Sequence, residues 1–365
     1  MTEDLPIPED EIIEGSDEAA EADVEHFHWR VTKNLTRRLD QYLVDRIGYL
    51  SRAGVQRVID EGLVKVNGKI AKASYHPRDG DEVEMVAPPK PVSELVPEPI
   101  PLDIVYEDDQ FLALNKQADL IVHPARGRWT GTLVNGLVFY GKKWSSGGVR
   151  EGQLQGGANW RPGILHRLDR NTTGIMLVAK AEEAHWRIAR QFENRTIQKT
   201  YMAVVHGVPE RLADVLNMPI GKDKYIREKQ AVRKEESGGK PAVTLYEVQE
   251  TFSTPAMTVL PLSAFPHDRK NPPPAAKFSL IKLSPKTGRT HQLRVHMAAI
   301  GHPIVGDTMY GGRPFHHGDF KLERQALHAF EITFVHPVTL LGMTLQAPLP
   351  PDIEKLLAIL RGQSV

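Results

Sequence analysis

Residues 163–180 read GILHRLDRNTTGIMLVAK. The stretch divides in two: a polar loop in which Asp169 sits between Arg167 and Arg170, and then the apolar run GIMLVA at 174–179. Six residues without a charge are too short for a typical globular helix and read as a buried strand. Cations beside a carboxylate favour its ionised form, the state required of a nucleophile or a base. Taken alone, Asp169 has a plainer reading, as one half of an Arg–Asp pair that fixes the loop. The surrounding sequence has to decide between the two.

Outward from this strand, further strand-like runs occur at FLALNK (111–116), TYMAVVHG (200–207), AVTLYEV (242–248) and KFSLIKL (277–283). They alternate irregularly with helical stretches such as AEEAHWRIARQF (181–192), which predicts an α+β domain with a mainly antiparallel mixed sheet over residues 102–350. Residues 351–365 are expected to add a C-terminal helix. Upstream, residues 35–87 form a separate pattern. Leu39, Leu43 and Ile47 recur every four residues, and Val55, Val58 and Ile59 give a second apolar face after a Ser51 N-cap. Asn67-Gly68 between two short apolar runs is a strong hairpin signal, because both residues tolerate positive φ. The expectation is a small helix-helix-hairpin unit. Six prolines between Pro88 and Pro101 make residues 88–101 an extended linker. Two stretches read as insertions: the Gly-rich residues 141–160 and residues 262–277, with three consecutive prolines after Asn271.

The 365 residues are 41% hydrophobic and 25% charged, which suits two or three globular domains. The absence of Cys excludes disulfides, thiolate metal sites and cysteine nucleophiles, and it fits the reducing cytoplasm as the expected location. The N-terminus is acidic and lacks the order of a secretory signal, and no apolar run approaches a membrane span. The formal charge of zero conceals an asymmetry. Residues 1–25 hold 11 of the 46 acidic residues and no Lys or Arg, so the remaining 340 carry 46 basic against 35 acidic residues. An acidic, aromatic-poor tail over residues 1–30 is expected to be disordered, and a basic body suits a polyanionic partner.

Several motif matches fail on inspection. Gly136 to Lys142 has phosphate-loop spacing, but Lys143 replaces the hydroxyl residue needed on magnesium. His291 and His296 are five apart, which misaligns two ligands on a helix face, and no metal site is expected. Three glycosylation sequons have no meaning without secretion.

The segment HRLDRNTTGIMLVAK resembles the HRLDxxTSG motif of the RluA-type pseudouridine synthases. Other segments match that family in the same order: LNKQADLIVHP (114–124), QKTYMAVVHG (198–207), GKPAVTLYEV (239–248), TGRTHQLRVHMAAIGHPIVGD (287–307) and RQALHAFEITFVHP (324–337). The last segment and the module order look most like the RluD branch. Residues 35–86 independently resemble the ribosomal-protein S-four-type RNA-binding module. The resemblance implies that Asp169 is the essential carboxylate. It implies further that Tyr201 lies against the target base and assists proton removal, that Arg289 ion-pairs the aspartate, and that Arg167 attends the flipped-out nucleotide. Read bottom-up, Tyr201 alternates with Ala203 and Val205 as a core strand residue would, and Arg289 is placed to cap the next helix. Arg294 is a second-rank RNA contact or a solvated residue. Gln117 and Asp119 depart from the family's Pro-x-Gly turn, and Thr173 replaces the usual Ser.

Isomerising uridine to pseudouridine breaks the bond from base N1 to the ribose, turns the base and rejoins the ribose at C5. A carboxylate with a cationic partner suffices, so no metal or organic cofactor is implied. The base must leave its stack, which calls for an aromatic face among cations. Arg37, Arg38, Arg46, Arg52 and Arg57 lie on or beside the two helices of the small module, and a basic helical face suits docking on structured RNA. The leading reading is an isomerase acting on large-subunit (23S) ribosomal RNA. The alternatives are a synthase acting on transfer RNA or another ribosomal site, and a non-catalytic RNA-binding assembly factor.

Overall fold

The computed structural model describes residues 25–47, 50, 52–88, 95–123, 130–141, 144–145, 163–226, 228–255 and 275–363. They fall into two compact units, residues 25–88 and 95–363. The Ser51 cap, the acidic residues up to 24, residues 146–162 and residues 256–274 lie outside the described residues.

In the first unit, helices α1 (Leu39–Ile47) and α2 (Arg52–Asp60) lie with strands β1 (Glu25–Arg30), β2 (Val64–Val66), β3 (Lys69–Ile70) and β4 (Glu82–Ala87). The sheet order is β1-β4-β2-β3, with every pairing antiparallel. The apolar faces read from the sequence are the core: Leu39, Leu43, Ile47, Val55, Val58 and Ile59 are all buried. Asn67 and Gly68 take φ of 51° and 73°, the left-handed pair that a tight hairpin requires. The expectation of a disordered tail through residue 30 is corrected at residues 25–30. Residues 25–30 form β1, pairing from Glu25 opposite Ala87 to Arg30 opposite Glu82. Phe27 and Trp29 stack at 5.4 Å and supply aromatic surface, a residue class absent from the preceding sequence.

The second unit is built on one large sheet. Its strands are β5 (Asp103–Glu107), β6 (Phe111–Lys116), β7 (Thr173–Ala179), β8 (Gln198–His206), β9 (Ala213–Asn217), β12 (Val243–Pro255), β13 (Ala275–Pro285), β16 (Leu327–Val335) and β17 (Gly342–Gln346). The order is β5-β6-β7-β16-β8-β13-β12-β9, with β17 on β16. The β7–β16 contact is parallel and the other pairings are antiparallel. Two small hairpins, β10 (Ile220–Lys222) with β11 (Gln230–Val232) and β14 (Phe315–His317) with β15 (Phe320–Leu322), stand apart from it. Helices α3 (Leu133–Tyr140), α4 (Glu182–Glu193), α5 (Gln292–Ala299) and α6 (Pro351–Leu360), with short 3-10 turns at Glu235–Ser237 and Thr308–Tyr310, complete the described elements. The α+β class and mainly antiparallel mixed sheet are as expected, and the C-terminal helix is ten residues long with Pro351 in its first turn. No helix among the described residues is long and apolar enough to cross a membrane.

Every residue of β7 is buried, which explains its unbroken apolar run. Gly174 lies where β7 meets β16. Its φ is 116°, and a Cβ there would stand 2.2 Å from the Ala329 carbonyl oxygen. The close strand approach therefore demands glycine just after the aspartate loop. Two apolar clusters flank this junction, one around Phe111, Leu114 and Met176, the other around Phe278, Ile281 and Met297. Tyr201 on β8 packs against both.

Candidate active site

The loop before β7 is held from both sides. Behind it, the His166 Nε2 accepts the Leu177 N–H at 3.0 Å, and its ring packs tilted against Phe192 at 4.9 Å between centres. Burial, helped by the charge of Lys199, pushes the His166 imidazole down to about 3, so it is a neutral strut. On the other side is Lys116, whose side chain is fully buried at the end of β6. Its ammonium donates to the carbonyls of Gln117, Leu120 and Arg170 at 2.7, 2.9 and 2.9 Å, stapling one loop to the other. Burial pulls Lys116 down to about 7, against the opposing pull of Asp169. Asp119, where the family turn has glycine, takes φ of 60° and pairs with Arg170 at 2.6 Å. Aspartate is among the few residues that adopt this conformation at modest cost, so the departure from the turn motif preserves the loop.

At the loop's tip, Asp169 is 21% exposed and faces Arg294, which is 8% exposed. Arg294 donates from one terminal nitrogen to Asp169 Oδ2 at 3.0 Å. Its Nε and other terminal nitrogen grip Asp307, a carboxylate 1% exposed, at 2.7 and 2.8 Å. Burial works against the Arg294 charge, but the bonds and charges of Asp307 and Asp169 outweigh it and hold the guanidinium more firmly protonated than usual. The arginine is thus a fixed bridge: Asp307 sets its plane, and Asp169 is aimed by what remains. His291 stands beside it, with Nε2 3.9 Å from Asp169 Oδ2.

This overturns the role expected of Arg289. Its Nε donates to the Pro241 carbonyl at 3.1 Å, and its backbone N–H goes to the Gln292 side chain at 3.0 Å. The reason is where α5 begins. Residue 291 has φ of 56° and ends the loop, so Arg294 falls on the inward face of the first helical turn while Arg289 lies before the helix. Arg294, expected to be an RNA contact or solvated, is instead the buried partner of Asp169.

Asp169, Tyr201, Arg167, Arg289, His291 and Arg294 all line one cleft of about 710 Å³. Its walls also carry Arg195, Lys199, Lys282 and Lys286, which gives a cationic lining suited to phosphate. Arg167 is exposed at this cleft. Burial, reinforced by the charge of Asp169, pushes the Tyr201 phenol above its ordinary range. Tyr201 therefore presents a protonated hydroxyl and a ring face.

In the small unit the arginines divide. Arg38 and Arg52 clamp the fully buried carboxylate of Asp40, at 3.1 Å and at 3.0 and 3.1 Å, with Gln56 adding a bond at 3.0 Å. Burial raises the Asp40 pKa, but the hydrogen bonds of Arg52 and Gln56 and the two arginine charges more than offset it. Arg37 pairs with Asp45, and Arg46 lies 5.0 Å over the Tyr42 ring. Arg57 is exposed. Arg38 and Arg52 thus have a structural task that charge counting along the chain did not reveal.

A family model described as RNA pseudouridylate synthase matches residues 110–299, and an S4 domain model matches residues 37–83. The chain belongs to the RNA pseudouridylate synthase family. It is 37% identical over 327 residues to the uncharacterized RNA pseudouridine synthase YlyB of Bacillus subtilis (strain 168), covering 89% of this chain and 95% of that protein. It is 38% identical over 332 residues to the ribosomal large subunit pseudouridine synthase D of Neisseria meningitidis serogroup B (strain ATCC BAA-335 / MC58), covering 89% and 79%. Among solved structures, human RNA pseudouridylate synthase domain containing 1 aligns over 72% of this chain and 96% of that one, with 25% identity and a TM-score of 0.48.

The synthase site contains residues that reading the sequence passed over. Asp307 lies inside a segment quoted for its resemblance, yet nothing local marks it as the anchor of Arg294, 13 residues away. Lys116 looks like an ordinary strand-end lysine until its burial is known. Replacing it with Met leaves the buried Leu120 carbonyl and two part-buried carbonyls without this donor, and Lys116→Met is expected to lower unfolding free energy by about 3 kcal/mol. Urea denaturation measures this, and an unchanged midpoint would refute the staple.

Proposed function

We propose that this synthase isomerises specific uridines of large-subunit (23S) ribosomal RNA, with Asp169 as the reacting carboxylate, Arg294 as its fixed partner and Tyr201 against the target base. The observation that carries this reading is the Asp307–Arg294–Asp169 chain, which holds one carboxylate in the lining of a cationic cleft. The reaction breaks the N1–C1′ bond and forms C5–C1′; the proton lost from C5 balances the one gained at N1. Asp169 attacks the base at C6 or the ribose at C1′, or takes the C2′ proton, and in each case the preorganised guanidinium stabilises the charge it carries. Tyr201, protonated, offers its ring to the flipped base and its hydroxyl as a donor. Arg167 and the cleft lysines neutralise the flanking phosphates.

The substrate class rests on relatives whose names specify the ribosomal large subunit, matched across both domains of this chain. Site-resolved pseudouridine mapping of RNA from strains with and without the gene tests it. Loss of defined sites in 23S rRNA is expected. Loss confined to transfer RNA would move the substrate, and loss nowhere would favour a non-catalytic assembly role.

The S4 domain supplies docking in this reading, through Arg37, Arg46 and Arg57 and the outward faces of Arg38 and Arg52. Removing residues 1–94 leaves a unit with its own two cores. The truncated enzyme is expected to bind folded rRNA more weakly and with a shallower salt dependence, each lost phosphate contact lowering the log–log slope by about 0.9 or less. Single-turnover rates at saturation should change less than affinity. An unchanged slope across a salt series would make the domain an appendage.

A further inference from the structure

Tyr310, at the turn after Asp307, is buried beside the site without lining the cleft. Its hydroxyl accepts the Gln230 N–H of β11 at 2.9 Å and lies 2.7 Å from His291 Nδ1. Its ring meets the His291 ring edge-on at 5.6 Å and carries the Arg294 guanidinium 4.9 Å from its centre. On the far side of His291, Nε2 faces Asp169.

We propose that Tyr310 is a positioning residue of the reaction: its hydroxyl donates to His291 Nδ1 and so fixes the imidazole in the tautomer that points an Nε2–H at Asp169. This rests on Asp169 being the reacting carboxylate. The proton assignment follows from charge. An imidazole lone pair on Nε2 would face an anionic oxygen, whereas an N–H there is attracted to it. With the ring proton on Nε2, Nδ1 must accept, and Tyr310 is the hydroxyl within reach. The Tyr310 oxygen then accepts from Gln230 and donates to His291. Burial, strengthened by Arg294 and Arg167, keeps the imidazole below its ordinary pKa against the pull of Asp169 and Asp307, so a second ring proton is disfavoured. At 3.9 Å the Nε2–H does not bond Asp169 in the free enzyme. It is placed to donate to a uracil or ribose oxygen brought alongside Asp169. His291 lines the cleft, so the donor is open to substrate.

The function of this pair is separable from ring packing, because Tyr310→Phe keeps the ring, its contact with Arg294 and its edge contact with His291, and loses only the hydroxyl with its bonds to His291 and the Gln230 N–H; the double variant below tells these two bonds apart. Two measurements decide the matter. In protein labelled with 15N-histidine, with the His291 signal assigned by loss in His291→Gln, the wild type should show a protonated Nε2 and an unprotonated Nδ1. Tyr310→Phe should show a tautomer mixture. In parallel, Tyr310→Phe should lower the single-turnover rate on in vitro transcribed 23S rRNA roughly tenfold while RNA affinity changes less than about twofold. His291→Gln supplies an N–H near the Nε2 position without help from Tyr310. Adding Tyr310→Phe to His291→Gln should therefore cost almost nothing further, a non-additivity that a packing role would not produce. A wild-type spectrum with the proton on Nδ1, or additive losses in the double variant, would overturn the proposal. Inertness of the wild type on this RNA would instead count against the substrate reading, leaving the spectra to decide the tautomer.

Discussion

Asp169→Asn is expected to abolish turnover, lowering the single-turnover rate by at least about three orders of magnitude. Asparagine matches the carboxylate in shape and can still accept from the Arg294 terminal nitrogen, so the loop, braced by Lys116, His166 and the Asp119–Arg170 pair, stays in place. What is lost is the charge and the nucleophilic or basic oxygen, needed by each of the three routes. RNA affinity should remain within about tenfold, since the cleft's cations and the S4 domain do not depend on this carboxylate. The measurement is pseudouridine formation in single turnover with binding assayed on the same RNA. Retained turnover would end the assignment of Asp169.

The second large effect is on Arg294. Arg294→Met removes the donor that satisfies Asp307, whose carboxylate has almost no contact with water, and it strands two acidic groups facing each other across the site. Breaking a buried ion pair by deleting one partner typically costs about 3–5 kcal/mol, and a loss of that size is expected in urea denaturation. Turnover should vanish as well, because Asp169 is no longer aimed. Arg294→Lys separates charge from geometry. A lysine point charge cannot serve Asp307 through two bonds and Asp169 through a third, so it should recover part of the stability and little of the activity. By contrast, Arg289→Met should leave stability nearly unchanged, since that guanidinium holds one backbone carbonyl at the cleft wall. Equal stability losses at 289 and 294 would contradict the ion-pair geometry.

The contrast between these arginines shows where sequence reading stops. Both lie in TGRTHQLR, both are cations, and both fit an aspartate partner on chemistry alone. The choice is made by the first turn of α5, which rotates residue 294 inward and leaves 289 in the approach loop. That rotation depends on where the helix begins, and helix boundaries are set by capping contacts with residues far along the chain. Here the side chain of Gln292 bonds the Arg289 N–H, the Thr287 hydroxyl and groups on β12. The strand at residues 25–30 was hidden for a similar reason: its stability comes from pairing with β4, more than fifty residues later, while its local composition is dominated by the acidic run before it.

Local pattern determined much about this protein. The alternation and turn residues of the small domain, the buried strand after the aspartate loop and the α+β class all follow from residues close together in the chain, whereas Asp169 was singled out by the resemblance of its segment to a known motif. The causes of the former are short-ranged: side-chain periodicity and positive φ at Asn67-Gly68. Only the tertiary structure decided the rest. The parallel seam of β7 with β16, the Asp307–Arg294–Asp169 chain, the lysine staple at 116 and the Tyr310–His291 contact each join residues whose meeting depends on how distant strands pack. Long-range electrostatic partners are selected by burial and geometry, which no single stretch of sequence contains.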